Sequence, residues 1–214
     1  MPVEPPGWHE RGYLPHYDDG KVIQSLTYRL ADSLPAEVMA KLEELALDDE
    51  TRRGQVERYL DAGHVSCVLR EAVCAQAVLD AWRHDDGRYY RLHAWVVMPN
   101  HVHVLIEPSG GCAIGEIVGA WKSVTARKIL GSATAPGRLK QLATAGGRAP
   151  RKRRVWQTDY YDRFIRNECH YAAVVDYIHN NPVNAGLVVR PQDWPWSSAH
   201  GGSDGTATTF GRIS

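Results

Sequence analysis

The chain has no C-x-x-C pair: Cys67, Cys74, Cys112 and Cys169 lie far apart, which argues against a zinc knuckle or a dithiol redox motif and makes reduced thiols the expected state. No run approaches the ~18 consecutive apolar residues a membrane helix needs. The opening MPVEPPGWHE carries no charged-then-apolar leader, so a cytoplasmic location and no membrane partner are expected. Net charge is also missing, at +0, and no internal repeat of useful length is visible. What remains is an ordinary globular composition, 43% hydrophobic over 214 residues, enough for one domain with a sizeable core. The expected organisation is a single domain over 1–214 with an N-terminal extension 1–20, a mobile basic insertion at about 131–154 and a C-terminal tail at about 198–214.

The zero net charge hides a segregation. Between Trp121 and Arg166 twelve Lys/Arg face only Asp159 and Asp162, a local balance of +10 that the rest of the chain offsets. A concentrated basic stretch suits a polyanion, and a solvated flexible loop is the plainer alternative.

Residues 21 to 30, KVIQSLTYRL, read as a strand because β-branched and aromatic residues dominate. Helical spacing of Leu34, Val38, Leu42 and Leu45 predicts a helix over 35 to 47, and a second, longer one follows from 64 to 84. That second helix would carry Cys67 and Cys74 on one face; the acidic segment 48 to 58 is ambiguous. Two apolar runs, 89 to 98 and 101 to 108, joined by Pro99-Asn100, form the clearest hairpin in the chain. An amphipathic helix over 113 to 130 carries Lys122, Arg127 and Lys128 on its polar face. A short strand near 155 to 165 and a helix capped by Asn167 and halted by Pro182 complete the order. This succession predicts an α+β domain: an antiparallel sheet with helices packed on one side.

Alternation along the second hairpin strand puts His101, His103 and Leu105 on one face and Val102, Val104 and Ile106 on the other, with the valine face expected to be buried. Two imidazoles roughly 7 Å apart at Cα can converge on one ion; taken alone, the pattern also fits two ordinary, partly buried histidines. In VVDYIHNNP, Tyr177 and Asn181 are four residues apart and share a helix face, so a hydroxyl nucleophile sits beside an amide oxygen. A lone helical tyrosine is also consistent with core packing.

Read together, these elements resemble a known family. HAWVVMPNHVHVLIEP (93 to 108), then WQTDYYDRFIRNECHYAAVVDYIHNNPVNAGLV (156 to 188) and DWPWSSAH (193 to 200), look like the REP-associated tyrosine transposases, the single-tyrosine branch of the HUH nucleases. The N-terminal GYLPHYDDGKVIQSLTYRLADSLP (12 to 35) resembles the opening of the same group. The resemblance implies a ferredoxin-like core, His101 and His103 as metal ligands, Asn181 as a third ligand with Asn180 as its competitor, and Tyr177 as nucleophile ahead of Tyr160, Tyr161 and Tyr171. It further implies Mg²⁺ or Mn²⁺ and cleavage and rejoining of single-stranded or hairpin DNA through a 5′-phosphotyrosine, by a monomer or homodimer. The long Ala/Gly/Arg insertion and the neutral overall charge depart from the family pattern.

Phosphate contacts are expected from Lys122, Arg127, Lys128, Arg151, Lys152, Arg153 and Arg154. Trp121, Trp156, Trp194 and Trp196 are candidates for base stacking or for core packing. Two rivals stand beside this reading: a relative that binds DNA without turnover, and a metal-dependent hydrolase built on the His-x-His pair. A (β/α)₈ hydrolase barrel would need about 250 residues and regular strand-helix alternation.

Overall fold

The computed structural model describes residues 7–11, 14–18, 20–35, 37–38, 49–61, 67–109, 111–131 and 154–201. Most of the expected helix over 35 to 47, of which residues 37–38 are helical, most of the 131–154 insertion, and the tail beyond 201 lie outside the described residues. A small hairpin comes first, β1 (Gly7–Arg11) with β2 (Leu14–Asp18). The main sheet contains β3 (Gln24–Arg29), β4 (Tyr90–Val97), β5 (His101–Pro108) and β6 (Tyr161–Phe164), in the order β4-β5-β3-β6 with every pairing antiparallel. The helices are α1 (Asp49–Asp61), α2 (Ala72–His84), α3 (Ile114–Gly131) and α4 (Glu168–Asn184). Among the described residues no helix is long and apolar enough to cross a membrane.

The α+β class and the antiparallel sheet are as the sequence indicates; the one-sided packing is not. Leu26 and Tyr28 of β3 and Val102, Val104 and Ile106 of β5 form one core with α2 and α3. Leu105 and the β4 residues Ala94 and Val96 form a second core with Ile178 of α4 on the opposite face. The sheet is therefore covered on both sides, and all of residues 101–106 are buried, the histidine face included. Both faces of a central strand are apolar or neutral when both are covered, and neutral imidazoles do not betray that second cover in an alternation pattern.

The α2/α3 side is held by aromatic residues whose polar ends are satisfied. Trp82 Nε1 donates to the Tyr28 hydroxyl (3.0 Å), Trp121 Nε1 to the Tyr90 hydroxyl (2.9 Å), and Trp156 Nε1 to Thr125 Oγ1 (2.8 Å). Buried donors that each find an acceptor fix the packing of this face. Trp194 Nε1 likewise donates to the Val97 carbonyl (2.9 Å). Trp121 and Trp156 are therefore core side chains and present no free face for base stacking.

Helix boundaries also depart from expectation. Cys67 precedes a 3-10 turn at Val68–Arg70, and the long helix begins only at Ala72, so Cys67 and Cys74 do not share one helix. All four cysteines are free thiols. Asn167 caps α4, its side chain accepting from the His170 backbone N–H (2.8 Å). Pro182 does not halt α4, which runs on to Asn184. Proline removes one i→i−4 bond, but the Ala185 N–H still reaches the Asn181 carbonyl (3.0 Å), so the last turn survives.

Candidate active site

His101 and His103 enter the site from the start of β5, with Arg29 and Thr27 of β3 as their cross-strand partners. Each is about 1% exposed, and their rings lie edge to face with centroids 4.8 Å apart. Hydrogen bonds set how each ring is protonated. Asn100 Nδ2 donates to the Leu60 carbonyl (2.8 Å), which turns Asn100 Oδ1 toward His101 Nδ1 (2.7 Å). An amide oxygen only accepts, so His101 carries its proton on Nδ1 and presents the Nε2 lone pair. His103 Nδ1 meets Thr27 Oγ1 (2.8 Å), and its Nε2 faces Asn181 Nδ2 (3.4 Å). With Nε2 accepting, Nδ1 donates to the threonine.

Burial pushes His101 down to about 3, partly offset by Asn181, so its imidazole is neutral at physiological pH. The folded value lies below the ordinary ~6.5 of an unfolded chain, so between those values the unfolded state binds the extra proton. Stability should therefore fall as pH is lowered from 6.5 toward 3, at up to ~1.4 kcal/mol per pH unit from this group. Urea midpoints should drop from pH 7 to pH 4, less steeply in His101→Gln. A wild-type profile as flat as the variant's would contradict the assignment.

His101 Nε2 and Asn181 Oδ1 are buried and have no hydrogen-bond partner among the described residues. Leaving a buried acceptor unsatisfied costs ~1–3 kcal/mol, so two such atoms on one spot fit a group that is bound there. The donor set suits a cation: two imidazole nitrogens, an amide oxygen once the Asn181 side chain turns, and negative potential from Asp61, whose Oδ1 is 4.0 Å from His101 Nε2. Among the described residues no three His, Cys, Asp or Glu side chains are grouped to hold a metal, so the third donor on hand is the Asn181 amide. The Nδ2 of its neighbour Asn180 donates to the Asp176 carboxylate (2.8 Å).

The sequence alone does not point to Asn100 or Asp61. Asn100 lies beside His101 in the hairpin turn, but its role depends on the Leu60 carbonyl forty residues away in sequence. Replacing it should unseat the His101 tautomer. Asn100→Ala is expected to lower stability by about 1–3 kcal/mol and divalent-ion affinity about 10–100-fold, as measured by melts with and without Mn²⁺. An unchanged Mn²⁺ response would refute the positioning role.

Tyr177 and Asn181 both face β5 from α4. The Tyr177 ring packs edge to face on His103, with centroids 5.3 Å apart, and it borders a cavity of about 210 Å³ that Thr27 also lines. The other phenols are placed differently. Tyr160 is buried in the core on the opposite face, and Tyr171 binds His93 Nδ1 through its hydroxyl (3.0 Å). Tyr161 lines the same cavity from β6.

Of the cations expected to meet phosphate, Lys122 requires correction. Its Nζ donates to the carbonyls of Gln157 (3.0 Å), Thr158 (3.2 Å) and Asp159 (2.8 Å), and burial lowers its pKa to about 8. It is a clamp on the strand-entry loop, not a surface cation. Arg127 and Lys128 are exposed on α3, which covers the face opposite α4, and Lys128 lies 3.6 Å from the Asp80 carboxylate. Arg154 is exposed and bonded to Thr158 Oγ1 (2.7 Å), while Arg151, Lys152 and Arg153 lie outside the described residues.

Comparison with known proteins gives three findings. Residues 85–181 match the family model described as "Transposase IS200 like", a span that contains His101, His103, Tyr177 and Asn181. Over 114 residues the chain is 31% identical to the REP-associated tyrosine transposase of Escherichia coli (strain K12), a match covering 53% of this chain and 56% of that protein. The chain thus spans a little over half the length of that curated relative. A solved structure of a REP-associated tyrosine transposase bound to a REP hairpin superposes with a TM-score of 0.52 at 20% identity, over 88% of this chain and 82% of that one. This last likeness speaks for the shared fold.

Proposed function

Because the chain is a relative of the REP-associated tyrosine transposases and carries an IS200-like transposase segment at residues 85–181, we propose that it cuts and rejoins single-stranded or hairpin DNA. In this reading Tyr177 is the nucleophile, and His101, His103 and Asn181 hold a divalent ion, Mg²⁺ or Mn²⁺. The observation that carries it is the convergence, on one face of the sheet, of two buried imidazoles, a buried amide and a phenol packed on His103.

A phosphodiester repels nucleophiles, and a phenol with pKa near ~10 is mostly protonated at neutral pH. When bound, the divalent ion would polarise a non-bridging phosphate oxygen. Asn100 and Thr27 keep the two rings oriented with Nε2 toward that position. Burial of both histidines excludes competing water. Tyr177 loses its proton as its oxygen bonds to phosphorus, the P–O3′ bond breaks, and the departing 3′ oxygen takes up a proton. The resulting 5′-phosphotyrosine retains a phosphodiester, so another 3′-hydroxyl can reverse the step and join strands without ATP. Imidazoles alone favour zinc, copper or nickel; the amide oxygen and the nearby Asp61 carboxylate shift the donor set toward harder ions. Arg127, Lys128 and Arg154, with Arg151, Lys152 and Arg153, are proposed to neutralise DNA outside the reacting centre.

The test is to incubate the protein with labelled single-stranded hairpin DNA and Mg²⁺ or Mn²⁺ and look for an SDS-resistant adduct that a chelator abolishes. Salt-sensitive hairpin binding with no adduct under any metal would instead identify a DNA-binding relative without turnover.

A further inference from the structure

The cavity beside Tyr177 lies between β3, β6 and α4. Register fixes which side chains face it: Thr27 points toward His103, Ser25 lies two residues before it on the same face, and Arg163 of β6 is the cross-strand partner of Ser25. Arg163 therefore projects to the α4 side, and it lines the cavity with Ser25, Thr27, His170 and Tyr177. Among the described residues no carboxylate forms an ion pair with Arg163. Asp162 also borders the cavity, but its Oδ2 accepts the Tyr17 backbone N–H (3.1 Å). His170 Nδ1 accepts the Arg166 backbone N–H (3.2 Å), so the neutral ring keeps its proton on Nε2 and acts as a donor.

A guanidinium with no ion pair among the described residues, an imidazole N–H and two hydroxyls make an anion-binding surface rather than a hydrophobic one. At about 210 Å³ the cavity is smaller than the ~300 Å³ at which drug-sized ligand sites begin. That space admits a phosphate with its sugar and not a stacked base as well. The geometry points to this cavity as a sugar-phosphate subsite for the nucleotide adjoining the scissile linkage, with Arg163 neutralising its backbone phosphate and His170 donating to it. The inference rests on the DNA-cleaving reading of Tyr177 for the identity of the strand. It adds a contact that positions the backbone without reading sequence.

The probe is thymidine 3′,5′-bisphosphate, titrated calorimetrically at low ionic strength. Wild type should bind it, Arg163→Gln should weaken binding about tenfold or more, and Arg163→Lys should recover part of the loss. Arg70→Gln, an equal change in charge at an exposed site on the 3-10 turn, should bind as wild type does. The deoxyguanosine bisphosphate should bind equally well. With hairpin DNA, Arg163→Gln should reduce the salt slope of binding by about 0.7, the value for one single-strand phosphate contact. No binding by wild type, equal binding by Arg163→Gln, or equal weakening by Arg70→Gln would overturn the subsite. Adduct formation by Arg163→Gln with the wild-type salt and concentration dependence would do the same while leaving the proposed function standing. Arg163-dependent bisphosphate binding with no DNA ever joined to the protein would uphold the subsite and refute the cleavage reading.

Discussion

Tyr177→Phe is expected to abolish covalent attachment of DNA, lowering adduct formation roughly 10⁴-fold or more, because loss of a nucleophile in a covalently acting enzyme leaves only what binding and electrostatics supply. Fold and DNA affinity should change little. The phenylalanine ring keeps the edge-to-face contact with His103 that the tyrosine ring makes at 5.3 Å. Tyr171→Phe is the matched control on the same helix. Its hydroxyl is engaged by His93 Nδ1 (3.0 Å), away from the histidine pair, so its adduct yield should stay near wild type. Gel-resolved adduct yield over time separates the two variants. Equal loss in both would move the chemistry away from Tyr177.

His103→Ala carries the second large effect. A ligand that binds only the folded state stabilises it by RT ln(1 + [L]/Kd), ~2.7 kcal/mol at a hundredfold excess over Kd. For a domain of this size about 1 kcal/mol moves the melting temperature ~2–4 °C. Saturating Mn²⁺ should therefore raise the wild-type melting point by roughly 5–10 °C. In His103→Ala the rise should vanish together with adduct formation, because the remaining His101 nitrogen and Asn181 oxygen are too few protein donors for a tightly held divalent ion. The cavity left by the imidazole lowers the metal-free melting point as well, so the quantity to compare is the difference made by Mn²⁺. A retained Mn²⁺ shift in the variant would place the ion elsewhere.

The parts of this site that sequence discloses are those carried by short-range periodicity. Alternation in HVHVLIEP puts both histidines on one face, and the four-residue spacing of Tyr177 and Asn181 puts a phenol and an amide together; both relations hold in the fold. Asn167 as a cap is local in the same sense. The failures are tertiary. Helical spacing assigns Lys122 to a polar face, but the chain returns thirty-five residues later and lays three carbonyls over it. Helix α1 was ambiguous because few apolar residues mark its buried side; Val56 and Leu60 are the ones found there. Asn100 and Asp61 act through long-range contacts that no spacing reveals. Arg163 counted only toward a basic stretch, and its position opposite Ser25 depends on how β6 pairs with β3.

In the proposed reaction one phenol, Tyr177, attacks phosphorus beside a cation held by His101 and His103. The most direct test is mass spectrometry of the adduct after exhaustive nuclease and trypsin digestion. Cleavage after Arg166 and Arg212, the Arg190–Pro191 bond being resistant to trypsin, yields a peptide that contains both Tyr171 and Tyr177. Fragment ions should place the residual nucleotide mass on Tyr177, linked through a 5′-phosphate, and only in samples prepared with divalent metal. Modification on Tyr171, on Tyr161, or on any residue outside that peptide would contradict the account.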